Sequence, residues 1–271
     1  TDFKLNDLFL KRLESYSKPL YNKVTKKAYL NDTLSLIYND KPDMPTSVAY
    51  YSYQYFNDPH HLDLKQSTDL KLITVLLASK YGRKIPDISD RIQLDQLFEC
   101  HNLYFERGMN HVLTYNVFEG HHPYQIVPKK YINDLTIKSN INDVQLHENA
   151  GVFDMLTDKY PDKSFICTSG VMNSAVTILI DKLMQKNISM TYSGDMDVNG
   201  LLIANRLLSI YPNIPLLHMN FDDFNNYAIS VDKPKSKNKI QNIKDPSLKQ
   251  IAENIVNNNR VCYQEALFHK Y

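Results

Sequence analysis

From about residue 140 the sequence alternates short apolar runs with helical patterns, and this rhythm is its strongest constraint on the fold. The runs that read as strands lie at residues 144–147, 164–168, 188–193 and 214–219. Strands that are separated by helices pair in parallel, and helices then cover both faces of the sheet. We therefore predict an α/β domain over residues 139–271. Ligands of such sheets bind at the carboxyl ends of the strands.

Acidic residues stand directly after two of these predicted strands. Glu148 follows the first, and Asp195 and Asp197 follow the third, just beyond Gly194. Mg²⁺ prefers oxygen ligands and is usually held by one or two carboxylates together with phosphate oxygens. If the third strand continues through this segment, Asp195 and Asp197 point to one face, because the side-chain period is two. The pattern predicts a metal site, although Asp197 is also well placed to cap the helix that begins near Val198.

Composition excludes some classes of protein. The net charge is +1 over 271 residues, which excludes a uniformly basic nucleic-acid coat but allows a local basic channel. No run approaches the roughly 20 apolar residues that a membrane helix needs. Cys100, Cys167 and Cys262 form no CxxC pair of the kind that binds zinc, and Cys167 fits a small buried strand residue. We expect a cytoplasmic protein in a reducing compartment, with no membrane partner.

Residues 1–138 read as a mainly helical domain that binds DNA or a partner protein. Helical patterns at 68–81 and 89–102 precede two extended runs at 111–118 and 124–127. Two helices followed by a hairpin are compatible with a winged helix, which would offer a surface to duplex DNA. A helical packing domain that carries one hairpin explains the same pattern equally well.

The C-terminal part of the chain contains a lysine-rich irregular segment at residues 232–245. Lys233, Lys235 and Lys237 belong either to a solvated loop or to a contact with the phosphate backbone of DNA. After this segment we expect the chain to end in a helix over residues 254–270.

Three motifs in the α/β region resemble a known domain. They are HENAGVF at residues 147–153, CTSG at 167–170 and YSGDMDVNGLLIAN at 192–205. In this order and spacing they resemble the TOPRIM domain of the topoisomerase VI A subunit and its relatives. Among these relatives they are most similar to the JetD-like nuclease subunits of Wadjet systems, which accompany SMC-type ATPases in anti-plasmid defence. The resemblance covers roughly residues 140–271, and it implies a TOPRIM-like parallel sheet with helices on both faces.

The resemblance implies a DNA endonuclease that hydrolyses phosphodiester bonds with Mg²⁺ or Mn²⁺. Its expected partners are DNA and the subunits of an SMC-like ATPase complex, and a homodimer is compatible with it. By position, Glu148, Asp195 and Asp197 would be both catalytic residues and metal ligands. Glu148 could instead serve as a general acid or base.

Further site residues follow from the same resemblance. Ser169 and Gly170 are expected to present backbone N–H groups to a DNA phosphate at the start of the next helix. The ending of the family carries two adjacent glutamates. This chain has Gln264 in place of the first, so Glu265 is the expected accessory acid. His147 fits a strand residue or a phosphate contact.

Two other functions stay open. A transesterase like the topoisomerase VI A subunit needs a tyrosine nucleophile, and Tyr50 and Tyr51 lie about where that family places it. The arginine that usually precedes this tyrosine is absent, however. The second alternative is a non-catalytic DNA-binding or assembly module, which the near-neutral charge suits.

Overall fold

The computed structural model describes residues 7–26, 28–63, 68–105, 110–120, 122–231 and 238–271. The chain divides into two compact units, Thr1–Arg107 and Gly108–Tyr271, which we call the N-terminal and the C-terminal unit. The boundary lies earlier than the predicted one between residues 138 and 139. Within the described ranges, no helix is long and apolar enough to cross a membrane.

The N-terminal unit is mainly helical, as predicted. Its helices, numbered in chain order, are α1 (Asp7–Tyr16), α2 (Lys18–Lys26), α3 (Ala28–Asn39), α4 (Val48–Phe56), α5 (Thr68–Lys80) and α6 (Arg91–Glu99). Two short strands, β1 (Thr46–Ser47) and β2 (Leu103–Tyr104), pair in parallel. Helix α5 packs against α1, α3 and α6. From Leu70 to Ala78 every residue except Lys71 is buried, as expected for a helix that is apolar on all sides.

The C-terminal unit alternates strands and helices. Its strands are β3 (His111–Tyr115), β4 (Tyr124–Pro128), β5 (Asp143–His147), β6 (Phe165–Cys167), β7 (Ser189–Ser193), β8 (Ile229–Ser230) and β9 (Arg260–Val261). Its α-helices are α7 (Ala150–Lys159), α8 (Ser174–Gln185), α9 (Val198–Ile210), α10 (Phe221–Tyr227) and α11 (Pro246–Asn258). Short 3₁₀ turns lie at Lys129–Tyr131, Ile240–Asn242 and Gln264–Lys270.

The main sheet is mixed, with strand order β4-β3-β6-β5-β7. Strands β6, β5 and β7 pair in parallel, and β3 joins β6 and β4 in antiparallel fashion. Side chains alternate between the two faces of the sheet. Ile166 accordingly belongs to the large core that α8, α9 and α11 share, whereas Phe165 and Cys167 pack with α7 on the other face. Helices therefore cover both faces, and Cys167 is buried as predicted.

The predicted hairpin exists, but it is not the wing of an N-terminal winged helix. Its strands β3 and β4 belong to the C-terminal unit and extend the main sheet. The physical reason is burial on both faces of β3. Val112 belongs to the larger core, and Leu113 and Tyr115 pack against the core on the α7 side. A strand covered on both faces needs a sheet neighbour, and β6 supplies one.

Two further predictions for the C-terminal unit are wrong in detail. The predicted strand at 214–219 forms only an isolated bridge between Leu216 and Tyr192. Pro215 has no N–H to donate to a ladder. The predicted terminal helix at 254–270 is broken, because Asn259 has left-handed backbone (φ 52°) and ends α11. The chain then passes through β9 into the 3₁₀ turn Gln264–Lys270, which lies beside the carboxyl edge of the main sheet.

Candidate functional site

The carboxyl ends of three neighbouring parallel strands form the candidate site. Strand β5 lies between β6 and β7. The Glu148 N–H, just past the end of β5, donates to the Ser193 carbonyl at 2.9 Å. On the other side, the Thr168 N–H donates to the His147 carbonyl at 2.8 Å. The loops that begin at Glu148, Thr168 and Gly194 therefore leave the sheet side by side, as the sequence predicts.

Glu148 lies against the backbone that follows β7. Its Oε2 atom accepts a hydrogen bond from the Asp195 N–H at 3.2 Å. A Cβ atom at Gly194 would stand 2.5 Å from that same oxygen and 3.0 Å from the Tyr192 hydroxyl. Any side chain at position 194 would therefore displace the Glu148 carboxylate, and glycine leaves that carboxylate in place.

Asp195 is fixed by the C-terminal segment of the chain. Its Oδ1 atom accepts a hydrogen bond from the Gln264 N–H at 2.8 Å. The next residue, Met196, forms an antiparallel bridge with Cys262. In that bridge the Met196 N–H donates to the Cys262 carbonyl at 2.8 Å, and the Cys262 N–H donates back at 3.2 Å. The residues after β9 thus hold the loop that carries Asp195.

Asp197 caps α9. Its Oδ1 atom accepts from the Gly200 N–H at 2.7 Å, which confirms the helix-cap interpretation of this residue. Strand β7 ends at Ser193, so the strand does not continue through Asp195 and Asp197, and the alternation that would place both on one face does not apply to them. A Cβ atom at Gly200 would collide with the Asp195 backbone, which explains the glycine at this position by close packing.

Gln264 connects the segments that carry the acidic residues, and the sequence did not identify it as a site residue. Its side chain is fully buried. The side-chain Oε1 accepts from the Asn149 N–H at 3.1 Å, and Nε2 lies 2.8 Å from His147 Nδ1. With its own N–H bound to Asp195, Gln264 contacts the residues on both sides of Glu148. The one signal in the sequence was its replacement of a glutamate in the terminal motif.

Glu265 is also brought to the site. Its Oε1 atom accepts from Asn149 Nδ2 at 2.7 Å. The same Asn149 uses its side-chain oxygen to cap α7 through the Gly151 and Val152 N–H groups. Glu265 itself is exposed. One asparagine therefore links this exposed acid to the loop that follows β5.

The carboxylates act on one another electrostatically. Burial, followed by the negative charge of Asp195 and then of Asp197, raises the pKa of Glu148 to about 7, and the Asp195 N–H opposes this shift. Burial also raises the pKa of Asp195. The N–H of Gln264 lowers it, and the charges of Glu265 and Asp197 raise it further. We call Glu148, Asp195, Asp197 and Glu265 the acid cluster.

The acid cluster suits a hard divalent cation without forming a closed cage. Among the described residues, no three His, Cys, Asp or Glu side chains are arranged to hold a metal ion together. Glu148, Asp195 and Asp197 each use one oxygen on a backbone N–H. Mg²⁺ needs only one or two protein carboxylates, because waters and substrate phosphates supply its other ligands. Glu148 and Asp195, whose pKa values are both raised chiefly by burial, fit such an open site.

Ser169 and Gly170 lie in the loop after β6, but they are not at the start of a helix. Helix α8 begins at Ser174 and is capped by Asn173, whose side chain accepts from the Val176 N–H. Both loop residues have left-handed backbone, with φ 49° at Ser169 and 85° at Gly170. A phosphate contact by these residues would therefore come from the loop itself.

The two candidate tyrosine nucleophiles lie on α4 in the N-terminal unit. Tyr51 is fully buried, and its hydroxyl lies 3.1 Å from the Asp40 carbonyl, to which it donates. Burial and the neighbouring Tyr55 raise the pKa of Tyr51 far above its ordinary value. Tyr51 is therefore unsuited to nucleophilic attack. Tyr50, by contrast, is 58% exposed.

The remaining predicted site residues are His147 and three lysines. His147 is fully buried, and burial followed by the nearby His218 lowers its pKa to about 3. It is therefore a neutral strand residue rather than a phosphate contact. Lys233, Lys235 and Lys237 lie outside the described residues.

Fold and site together define the C-terminal unit as an α/β domain with an acid cluster at the carboxyl edge of its sheet. The model of one protein family, described as "Protein of unknown function C-terminus (DUF2399)", matches residues 129–270. The chain belongs to this family. No curated protein matches it.

Proposed function

We propose that the chain is a divalent-metal-dependent DNA endonuclease that hydrolyses phosphodiester bonds with Mg²⁺ or Mn²⁺. The resemblance to TOPRIM domains adds a finer proposal. In it, the protein is a cytoplasmic nuclease subunit of an SMC-like defence system against plasmids or phage. Its partners would be DNA and the SMC-like ATPase subunits.

The observation that carries the proposal is the meeting of Glu148 and Asp195 at the edge of the sheet. Each follows a different parallel strand, and the Glu148 carboxylate lies on the Asp195 N–H. Half-buried carboxylates that lie close together, such as these two, repel one another and cost free energy unless a cation or a proton neutralises them. The fold nevertheless holds both carboxylates on backbone N–H groups, and Gly194 leaves room for the Glu148 carboxylate. Such a costly arrangement is typical of functional sites.

The chemistry divides between the chain and its cofactor. A bound divalent cation supplies charge for the phosphoryl oxygen and lowers the pKa of a water. Glu148 and Asp195 would hold that cation, with Asp197 and Glu265 adding negative potential. Asp197 also fixes the start of α9, and Gln264 keeps Asp195 oriented through its N–H.

One observation favours a second function, that of a non-catalytic DNA-binding or assembly module. In the described part of the chain, the acidic side chains are not arranged as a preformed three-residue metal site. A protein of this kind would keep the acid cluster without cleaving any form of DNA. If the protein were a transesterase, Tyr50 would be the remaining candidate nucleophile of the two, because Tyr51 is buried and its pKa is raised.

Plasmid cleavage tests these functions directly. Supercoiled plasmid is incubated with wild type, Glu148→Ala and Asp195→Ala in Mg²⁺, in Mn²⁺ and in EDTA. Glu253→Ala, at an exposed position of α11, is the matched control. We expect metal-dependent nicking or linearisation by wild type and control, a loss of at least 100-fold in both site variants, and free 5′ ends.

Each remaining outcome supports a different function. A protein covalently attached to the DNA end, lost in Tyr50→Phe, would identify a transesterase. No cleavage in either metal, together with no heat of Mn²⁺ binding in calorimetry, would refute the nuclease and leave the binding module. Because partners activate some nucleases, the cleavage assay is repeated with cell extract from the source strain before that conclusion.

A further inference from the structure

The N-terminal unit carries exposed cations on the connection between α5 and α6. Helix α5 ends at Lys80 and α6 begins at Arg91, and Arg83 and Lys84 between them are both exposed. A groove of about 700 Å³ opens beside them. The described residues that line it are Arg83, Lys84, Pro86, Gln93, Gln96 and Leu97. Two cations and two amides therefore border the groove.

A second groove, of about 410 Å³, borders the same connection. Ile85 lines it, although the residues on either side of Ile85 line the first groove. Its other described lining residues are Lys11, Arg12, Ser15 and Tyr16. No carboxylate is among the described residues that line either groove. In a chain of net charge +1, this is a local concentration of positive charge.

The connection is held in one conformation by its own hydrogen bonds. Gly82 has left-handed backbone (φ 60°), and the Arg83 N–H donates to the Ala78 carbonyl at 2.9 Å. This arrangement terminates α5 as a glycine C-cap does. Further along, the Asp87 carboxylate accepts from both the N–H and the hydroxyl of Ser89 at 2.8 Å. The exposed cations thus project from ordered backbone.

Arg12 supports this backbone rather than a ligand. Its guanidinium donates to the Ala78 carbonyl at 2.8 Å and also to the Arg83 carbonyl. Arg83 is accordingly fixed through its main chain. Three acids lie nearby: Glu14 pairs with Lys18, the Asp90 side chain caps α6, and Asp87, whose charge acts on Tyr16, accepts from the Ser89 hydroxyl. We define the basic surface as Lys11, Arg83, Lys84, Gln93 and Gln96, which are all exposed.

We propose that the basic surface binds the phosphate backbone of duplex DNA. The cations are distributed over two grooves that one connection separates, which fits an extended polyanion better than a single small anion. Lysine and arginine contact phosphates, and glutamine can reach either phosphates or base edges. Gln93 and Gln96 are one helical turn apart on α6 and therefore lie on one face. The choice of DNA rests on the proposed function.

Binding measured without cleavage tests the proposal. Fluorescence anisotropy of a short labelled duplex is recorded in EDTA over a range of salt concentrations. We compare wild type with the double variant Arg83→Gln/Lys84→Gln. Lys249→Glu, at an exposed position of α11, controls for net charge. Circular dichroism verifies folding, and the main-chain anchoring of Arg83 favours it.

The expected result is at least a tenfold loss of affinity in the double variant and no change in Lys249→Glu. Each phosphate contact contributes about 0.9 to the slope of log K against log salt. The double variant should therefore lower the slope by roughly 1.8. Gln93→Ala/Gln96→Ala should weaken binding and leave the slope unchanged, because it removes no charge.

Several results would overturn the proposal. They are unchanged affinity and slope in the double variant, an equal loss in Lys249→Glu, and polyglutamate competing as well as DNA at the same charge concentration. Failure of the nuclease is a separate outcome. If the wild type binds DNA through this surface but cuts no plasmid, only the proposed catalysis is refuted. If the wild type cuts plasmid but its affinity for DNA does not depend on Arg83 and Lys84, only the proposed binding surface is refuted.

Discussion

Gln264 and His147 form a buried hydrogen bond of 2.8 Å between residues that are 117 positions apart. Because Gln264 Oε1 accepts from the Asn149 N–H, its NH₂ group faces His147 Nδ1. That nitrogen must therefore be the acceptor, and the ring proton lies on Nε2. A neutral histidine agrees with the lowered pKa of His147. The Gln264 side-chain amide thus accepts from the Asn149 N–H through its oxygen and donates to His147 Nδ1 through its nitrogen.

We predict that Gln264→Glu destabilises the protein. A carboxylate can still accept from the Asn149 N–H but cannot donate to His147, and it adds a charge beside Asp195. A buried polar group left without its partner costs about 1–3 kcal/mol. Urea unfolding in EDTA at neutral pH should show a loss of that size. Gln250→Glu, exposed on α11, adds the same charge and should stay within about 0.5 kcal/mol of wild type. Equal effects of the two changes would contradict this prediction.

We predict that Gly194→Ala impairs the site more than the fold. The new Cβ would stand 2.5 Å from Glu148 Oε2, so the carboxylate must move. We expect Mn²⁺ affinity in calorimetry to fall at least tenfold. Gly151→Ala is the comparison, since its Cβ meets only Asn149 Oδ1 at 3.3 Å, which a small shift relieves. A tenfold loss in Gly151→Ala as well would mean that Glu148 displacement is not the cause.

Local pattern predicted the parallel part of the sheet and the placement of the acidic residues at its edge. Alternating strands and helices determine that parallel strands end on the same side. Glu148 and Asp195 follow the ends of β5 and β7, so the position of the site could be predicted from where these strands end. The role of Asp197 stayed open in the sequence, because a strand-end acid and a helix cap have the same local pattern.

What the sequence did not reveal depends on contacts between distant residues. The pairing of β3 with β6 assigns the hairpin to the C-terminal unit, and no local period encodes that choice. The left-handed backbone at Asn259 ends α11 before the apolar residues Val261 and Cys262. Only that break brings Gln264 to Asp195 and to His147, which are 69 and 117 residues away.

We predict that Glu148→Gln raises the unfolding temperature in EDTA at neutral pH and removes the rise that Mn²⁺ gives to wild type. The folded protein raises the pKa of Glu148 to about 7 from an ordinary 4.5. The stability associated with its protonated form is present below pH 4.5 and is lost as the pH increases through 7. The advantage of the variant should therefore vanish near pH 4.5. Glu253→Gln, exposed on α11, should show neither effect, and a variant less stable than wild type in EDTA at neutral pH would refute the prediction.

We predict that His101 makes the N-terminal unit sensitive to acid. His101 is fully buried, with Nε2 3.0 Å from the Ile37 carbonyl and Nδ1 2.7 Å from the Tyr81 hydroxyl. Nε2 must donate to the carbonyl, so Nδ1 accepts from the tyrosine. Burial, followed by the charge of Lys80, lowers the pKa of His101 to about 4 from an ordinary 6.5.

Between pH 6.5 and 4 the unfolded chain therefore binds a proton that the folded chain does not. The free energy of unfolding decreases as the pH is lowered through this window. One such proton contributes roughly 1 kcal/mol per pH unit. We measure the free energy of unfolding in urea at several pH values. Its slope against pH should be shallower in His101→Gln than in wild type by that amount, and the variant should be less stable than wild type at pH 7.5. His60→Gln changes a side chain that is 79% exposed and should keep the wild-type slope. Identical slopes for wild type and His101→Gln would assign the acid sensitivity to the carboxylates instead.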